Sequence, residues 1–163
     1  MSFKAVIVAN QAHARFWIWE DADPFDGQRQ QLQELESLMN PMEPGVAKEV
    51  WSNAKAGRNR GASHQGHGYD DHRQNHLDEF ERRFCSAIAA HGKQVIDQHQ
   101  IRSLVLVAPP EVLGHLRREI QTIWPKHLRI QELSKDLVKQ SATELQHYLT
   151  QKKLLPSFAE PKH

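Results

Sequence analysis

Two short apolar runs constrain the fold of this chain more than any other feature of its sequence. Residues 3–9 read FKAVIVA and residues 103–108 read SLVLVA, and both runs are rich in β-branched side chains. A strand that is apolar along its whole length is typical of a sheet that is covered on both faces. The chain is therefore predicted to be an α/β protein built around these two strands.

The N-terminal part of the chain contains two further predicted strands. Residues 14–20 (ARFWIWE) alternate two apolar residues on one side with two tryptophans on the other, and a short Asn-Gln-Ala-His connection precedes them. This pattern predicts an antiparallel hairpin with the first strand. Residues 31–39 carry leucines whose spacing fits either a strand or a helix, and we take this segment as a third strand.

Helical periodicity begins after residue 70. Apolar residues recur at steps of three or four between Leu77 and Ile88, and Asp70 or Asp71 is a suitable N-cap. These signals predict a long helix that starts at about Asp71 and ends at about Gln100, with Gly92 as a weak point.

The C-terminal part continues with alternating helices and strands. Pro109-Pro110 ends the second apolar run and opens a helix over residues 111–123, since proline is tolerated in the first turn. Residues 128–133 (LRIQEL) alternate as a strand. Residues 141–144 (SATE) form a capping box, which predicts a last helix to about Lys153.

Together these segments predict a mixed sheet of about five strands covered by helices, in the order β-β-β-loop-α-β-α-β-α. The last two strands are expected to be parallel, through right-handed crossovers. A length of 163 residues, of which 39% are hydrophobic, suits one soluble domain with its own core. We expect a single α/β domain over residues 1–155, with a flexible glycine-rich basic loop at about 52–70 and a frayed tail over 156–163.

Two features of the sequence predict a cytoplasmic protein with no membrane partner. The apolar run near the N-terminus, Ala5 to Ala9, is too short for a signal peptide or a membrane span, and no other window approaches the required length. A single cysteine, Cys85, cannot form an internal disulfide, which favours a reducing compartment. We expect Cys85 to be an unreactive helix residue.

Residues 52–70, which read SNAKAGRNRGASHQGHGYD, differ from the rest of the chain. They contain no apolar side chain larger than alanine before Tyr69, and residues 52–69 carry three Lys or Arg side chains and no acid. A local positive field of this kind favours an anionic partner at one place on the molecule. We expect no DNA partner.

Three stretches carry a resemblance to a known family. They read VIVANQAHARFW at residues 6–17, LVLVAPPEVLGHLR at 104–117 and ELSKDLVKQSATELQHYL at 132–149. In this order they resemble the bacterial host attachment proteins, also described as proteins required for attachment to host cells. The resemblance covers essentially the whole chain.

That family in turn looks like the middle domain of archaeo-eukaryotic peptide-chain release factors, which implies a release-factor-like fold. The resemblance makes residues 52–70 the counterpart of the loop whose Gly-Gly-Gln tip enters the ribosomal peptidyl-transferase centre. No Gly-Gly-Gln occurs in this chain, and the nearest fragment is His64-Gln65-Gly66. We therefore do not assign hydrolysis of peptidyl-tRNA to Gln65, and autonomous stop-codon release is not expected.

The residues that we assign to RNA binding all lie in this segment. Glycines interleaved with cations allow a backbone to approach phosphates closely, whereas the alternative is a solvated loop that only keeps the chain soluble. The candidates are Lys55, Arg58, Asn59, Arg60, His64, Gln65 and His67.

A metal site is considered and not favoured. His72 and His76 are four residues apart, so a helix would place both imidazoles on one face. However, no H-E-x-x-H motif and no nearby cysteine accompany them. A solvated helix face is the more common explanation, and we expect neither a metal nor another cofactor.

Polar residues also follow the two central strands. Asn10 and His13 come after the first, and Glu111 comes after the second. Because ligands of open α/β sheets bind where neighbouring strands end, these residues are candidates for a small-ligand crevice, although ordinary turns are the more common explanation. Trp17 and Trp19, on one face of a strand, are candidates for an interaction surface or for the core.

The favoured function is a non-enzymatic cytoplasmic protein that associates with RNA or the ribosome, in translation stress or hibernation. The alternative is a protein-interaction module that indirectly supports surface attachment. A weaker alternative is a metal-dependent hydrolase.

Overall fold

The computed structural model describes residues 3–20, 31–40 and 67–156, and side chains of the first helix are described from residue 79 onward. These ranges contain six strands and three helices, in the predicted order and with one strand more than expected. They are β1 (Phe3–Ala9), β2 (His13–Glu20), β3 (Leu32–Glu34), β4 (Leu38–Met39), α1 (His67–His99), β5 (Ser103–Ala108), α2 (Pro110–Ile123), β6 (Arg129–Ser134) and α3 (Ala142–Gln151). The predicted α/β class is confirmed.

The two apolar runs form the centre of a mixed sheet. The strand order is β3-β2-β1-β5-β6, and β4 pairs with β2 as well. β1 is antiparallel to β2 and parallel to β5, and β5 is parallel to β6. The strands β1, β5 and β6 therefore end at the same edge of the sheet, which we call the C-terminal edge.

Both faces of the sheet are covered, as the apolar runs predict. On one face, alternate residues such as Ile7, Phe16 and Leu106 pack with buried residues of α1 and α2. On the other face, Val8 and Val107 pack with buried residues of α3 and of the segment before it. The sheet is thus the middle layer of three, since successive side chains of a strand point to opposite faces.

The tryptophans of β2 belong to this second core. Trp17 and Trp19 are each only 2% exposed and pack with Leu145 and Leu149 of α3. Of the two alternatives, the core is therefore right and the interaction surface is wrong, because α3 covers the face on which they lie.

The predicted third strand is two short strands. Glu34 of β3 pairs with Trp17, and Leu38 of β4 pairs with Ala14. The segment thus advances four residues while β2 advances three, so one extra residue interrupts the pairing as in a β-bulge. This insertion explains why the leucine spacing of residues 31–39 is ambiguous between a strand and a helix.

Helix α1 runs antiparallel to β1 across the first face. The His99 ring lies 5.8 Å from that of Phe3, and the His91 ring lies 4.5 Å from that of Phe16. The N-terminal part of α1 therefore points towards the C-terminal edge. The helix continues without interruption through Gly92.

The ends of α1 test two predictions. The helix begins at His67, so the prediction that Asp70 or Asp71 caps it is wrong, because both residues lie inside it. Its C-terminal end is confirmed. Gln100 has a φ of 53°, and the Ile101 N–H bonds to the Ile96 carbonyl at 2.9 Å, as in a Schellman cap.

The C-terminal elements agree with the sequence signals. α2 has proline in its first turn, and α3 has the predicted capping box, with Ser141 and Glu144 each bonding the other's backbone N–H. Strand β6 is an edge strand with mostly exposed residues. Among the described helices, none is long and apolar enough to span a bilayer. The frayed tail stays a prediction, because residues 157–163 lie outside the described ranges.

Candidate functional site

Polar side chains cluster at the C-terminal edge, and Asn10 organises the turn that follows β1. Its Oδ1 accepts hydrogen bonds from the backbone N–H groups of Ala12 and His13, at 2.8 and 2.9 Å. Its Nδ2 donates to the carboxylate of Asp136, at 3.1 and 3.3 Å. Asn10 therefore joins the β1–β2 turn to the segment that follows β6.

Arg15 makes a second link on the face covered by α3. Its Nε and Nη2 bind both carboxylate oxygens of Glu34, at 2.8 and 2.9 Å. Its Nη1 donates to the carbonyls of Val138 and Gln140, at 2.7 and 2.8 Å, and the guanidinium lies 4.7 Å from the centre of the Trp17 ring. The hydrogen bond to Glu34 raises the pKa of Arg15. Each guanidinium nitrogen of Arg15 is thus hydrogen-bonded within the fold, which indicates a structural role.

Asn40 fixes the chain at the point where it leaves the sheet after β4. It is 4% exposed, and its backbone N–H bonds to the Ala12 carbonyl at 2.8 Å. Its Nδ2 donates to the carbonyl of Gln11 at 3.0 Å. Asn40 therefore lies against the β1–β2 turn, at the C-terminal edge.

A second polar group lies between α1 and α2 on the other face. Glu111 and His115 are one turn apart on α2, and Glu81 faces them from α1, so that one ligand atom from each lies within 4.8 Å of the others. We call these three residues the Glu-His-Glu cluster. Glu81 is buried, His115 is half-buried and Glu111 is exposed. His115 Nε2 and Glu81 Oε1 are 3.4 Å apart.

Cys85 lies one turn after Glu81 and is buried. Burial raises the pKa of its thiol to about 12, and the nearby carboxylates of Glu81 and Glu119 add to this effect. A thiol with this pKa remains protonated at neutral pH, so it is neither a nucleophile nor a metal ligand there. The expectation of an unreactive cysteine agrees with this environment.

The three predicted crevice residues have different partners. Asn10 contacts Asp136, and Glu111 belongs to the Glu-His-Glu cluster. His13 is the first residue of β2, opposite Met39, and its backbone carbonyl accepts the N–H of Asn10 at 2.9 Å. Asn10 and Glu111 thus follow adjacent strands, as predicted, and their binding of a small ligand stays a prediction.

Most of the predicted RNA-binding residues lie in the part of the chain that the structure does not describe. Six of them lie outside the described residues, and they are Lys55, Arg58, Asn59, Arg60, His64 and Gln65. His67 is the first residue of α1, but its side chain is not described, and the same holds for His72 and His76. These assignments stay predictions.

Sequence reasoning missed Glu81, His115, Asp136 and the role of Arg15. A signal in the sequence was present for Glu81 and His115. Glu81 falls within the apolar stripe of α1, one turn before the buried Cys85, where a carboxylate needs a partner. His115 follows Glu111 by four residues on a predicted helix, the spacing that brings two side chains together. For Asp136 and Arg15 only the fold reveals the partners, which are distant in sequence.

These features define a class of α/β protein with a mixed six-stranded sheet between two helical layers and polar groups at the C-terminal edge. Residues 5–149 match the family model described as "Protein required for attachment to host cells". Because the match covers most of the chain, the chain belongs to this family. The predicted family is thus confirmed, and the resemblance to release factors stays a prediction. A comparison with curated proteins gave no significant match.

Solved structures give weak likenesses. A type II variant of the Aquifex aeolicus Ppx/GppA phosphatase shares 13% identity at a TM-score of 0.43, over 82% of this chain and 36% of that one. Thermus thermophilus RuvC shares 11% identity at a TM-score of 0.39, over 98% of this chain and 85% of that one. The chain thus spans about a third of the phosphatase. Likenesses at TM-scores below 0.5 establish neither a shared fold nor a shared function.

Proposed function

We propose that this member of the host attachment family binds structured RNA, with the ribosome as the main cellular source, and that it acts in the cytoplasm without catalysing a reaction. A role in translation stress or hibernation fits such binding better than termination does, because the chain lacks a Gly-Gly-Gln tip. The description of the family concerns attachment to host cells, and an RNA-level role would affect attachment indirectly.

The charge of residues 52–70 supports the proposal. Lys55, Arg58 and Arg60 lie among glycines, and residues 52–69 contain no acidic side chain. Cations on a glycine-rich backbone suit the phosphates of RNA, because binding releases the counterions that surround them. Asn59, His64, Gln65 and His67 would add hydrogen bonds to phosphates, sugars or bases.

The observation that carries the proposal is the attachment of this segment to the fold. Asn40, the last described residue before it, is held by the β1–β2 turn at the C-terminal edge. Helix α1, which follows it, reaches the same edge where Glu81 meets α2. His67 lies fourteen residues before Glu81, which is about 20 Å of helix. The described residues on either side of residues 41–66 thus both lie on the side of the C-terminal edge, and this supports an RNA contact on that side of the sheet.

The test is co-sedimentation of the full chain with ribosomes at low salt. The change Lys55→Gln/Arg58→Gln/Arg60→Gln is expected to weaken association by about one to two orders of magnitude, because three phosphate contacts are lost. The matched control is Arg102→Gln/Lys126→Gln/Arg129→Gln, which removes the same charge from exposed residues at the opposite edge. Equal sedimentation of the two triple variants would contradict the proposal.

A second candidate function is a protein-interaction module that supports surface attachment, and strand β6 favours it. Residues 129–132 of β6 are exposed, and Ile130 is 36% exposed. Within the described part of the chain, β6 pairs only with β5, so its outer edge is available to another strand. Affinity purification with and without nuclease separates the two functions: loss of partners after nuclease supports RNA binding, and their retention supports a protein partner.

A further inference from the structure

We propose that Glu81, Glu111 and His115 bind a divalent first-row transition-metal ion between α1 and α2. This inference does not depend on RNA binding, and it departs from the expectation that the chain holds no metal. The three residues come from two helices, and their ligand atoms already lie within 4.8 Å of one another. Only small side-chain movements are needed to bring all three to one ion.

The donor set selects the class of metal. Two carboxylates and an imidazole suit zinc, manganese or iron, whereas magnesium and calcium prefer sites made of oxygen alone. Three protein ligands leave at least one coordination position for water or a ligand. The site is thus of the open kind, in contrast to a closed structural site with four protein ligands.

The distance between His115 and Glu81 also points to a metal. His115 Nε2 and Glu81 Oε1 are 3.4 Å apart, longer than a strong hydrogen bond between an imidazole and a carboxylate. Two ligand atoms on a tetrahedral zinc ion are separated by about 3.4 Å, given bonds of about 2.0–2.1 Å. The pair is therefore already spaced as ligands of one ion.

Burial strengthens the case. Glu81 is 8% exposed and lies among apolar residues of α1, where a carboxylate is costly without a compensating positive charge. Glu111, a second carboxylate, and His115 lie close to it, with one ligand atom of each within 4.8 Å of the others. A divalent cation at this point neutralises both carboxylates and joins α1 to the first turns of α2.

Binding of a metal by His115 requires Arg118 to change its position. Its Nη1 lies 3.5 Å from His115 Nδ1, a weak contact at an exposed position. If Nε2 binds the metal, the ring proton must be on Nδ1, and Arg118, which can only donate, must turn away. Arg118→Gln offers a carbonyl oxygen that accepts this proton. Because an acceptor on the second nitrogen supports a ligating histidine, this variant is expected to bind the metal at least as tightly as the unaltered chain.

The test is equilibrium dialysis of the chelator-treated full chain against Zn²⁺, followed by elemental analysis. The sequence contains 11 histidines, so the design must separate the cluster from scattered surface histidines. The test variant is Glu111→Gln/His115→Gln. The control is Glu36→Gln/His147→Gln, which changes an exposed glutamate and an exposed histidine elsewhere and leaves the same histidine count and net charge.

The unaltered chain and the control are expected to bind one tight equivalent of zinc. The cluster variant should lose more than about tenfold in affinity, the loss that even outer-shell partners of a metal ligand produce. Visible absorption of the Co²⁺ form should be present in the control and absent in the variant. Circular dichroism checks that each chain is folded, and Glu111→Gln alone, at an exposed position, supplies a milder variant. Equal zinc affinity in variant and control, or no tight equivalent in the unaltered chain, overturns the proposal.

Discussion

The indole N–H of Trp124, at the end of α2, donates a 2.9 Å hydrogen bond to the carbonyl of Ala89 in α1. The same ring fills the space next to Gly92. A Cβ atom added at residue 92 would lie 2.8 Å from Cζ2 of Trp124 and 3.3 Å from Cδ1 of Ile7. Gly92 is therefore a packing requirement of the contact between the two helices.

Gly92→Ala is expected to destabilise the protein, although alanine is the better helix former. The change gains about 1 kcal/mol of helix propensity, but Trp124 is buried and hydrogen-bonded and cannot move without breaking its bond to Ala89. Overpacking of this kind costs about 1–3 kcal/mol. Gly114→Ala in α2 is the control, because nothing lies within 4 Å of its added Cβ. Urea unfolding should show a loss for the first variant and a gain for the second, and a gain for both would contradict the packing argument.

The left-handed conformation of Gln100 predicts that glycine at this position stabilises the protein. Its φ of 53° costs an L-residue about 1–2 kcal/mol relative to glycine, and part of this is offset by the greater freedom of glycine in the unfolded chain. Gln100→Gly should therefore stabilise the protein by about 0.5–1 kcal/mol. Gln98→Gly, two residues earlier on the exposed surface of α1, should destabilise it by about 1 kcal/mol. Thermal unfolding of both variants measures the contrast, and a loss of stability on Gln100→Gly would count against the cap.

Arg15 and Arg117 both bind a carboxylate with two nitrogens, but their environments differ. Arg15 also bonds the carbonyls of Val138 and Gln140, and its side chain is 24% exposed, against 56% for Arg117. A lysine cannot make all of the Arg15 contacts at once, so Arg15→Lys should cost about 1–2 kcal/mol. Arg117→Lys should change little, because exposed ion pairs contribute little. Chemical denaturation compares the two, and equal losses would show that the carbonyl contacts of Arg15 are unimportant.

The raised pKa of Cys85 predicts that the protein loses stability at high pH. Its pKa rises from 9.0 to about 12 on folding, so the folded state holds the thiol proton more tightly. This contribution is complete below 9.0 and is lost as the pH rises towards 12. Between about pH 8 and about pH 10, the unaltered chain should lose about 1 kcal/mol more than Cys85→Ala does. Urea unfolding of both chains at the two pH values measures this difference, which removes the contribution of other titrating groups. Equal losses would mean that the thiol ionises freely in the folded state.

Much of the fold could be predicted from the sequence because its signals are local. FKAVIVA and SLVLVA identify two central strands without any knowledge of their neighbours, and SATE identifies the start of α3 from four residues. The errors arose where the outcome depends on distant residues. The tryptophans of β2 are buried only because α3 returns over them, and residues 31–39 split because their register is set by β2.

The polar sites were less predictable for the same reason. Asn10 and Glu111 were found because they follow strands whose ends are recognisable. Their partners are separated from them by long stretches of sequence, since Asp136 lies 126 residues from Asn10 and Glu81 lies on a different helix from Glu111. No spacing rule connects such residues. Two local signals were available, a carboxylate within the apolar stripe of α1 and the four-residue spacing of Glu111 and His115, but the metal hypothesis considered only the histidine pair at residues 72 and 76.

Salt dependence is the sharpest test of the proposed RNA contact. If Lys55, Arg58 and Arg60 each neutralise one phosphate, the logarithm of the association constant should fall against that of the salt concentration with a slope of about −2 to −3. Each single change to glutamine should make the slope less steep by about 0.7–0.9, because one fewer counterion is released. Filter binding or sedimentation at several salt concentrations gives these slopes. Arg102→Gln, at the opposite edge of the sheet, should leave the slope unchanged. A slope that responds equally to all four changes would mean that RNA meets the whole surface and that residues 52–70 have no special part in binding.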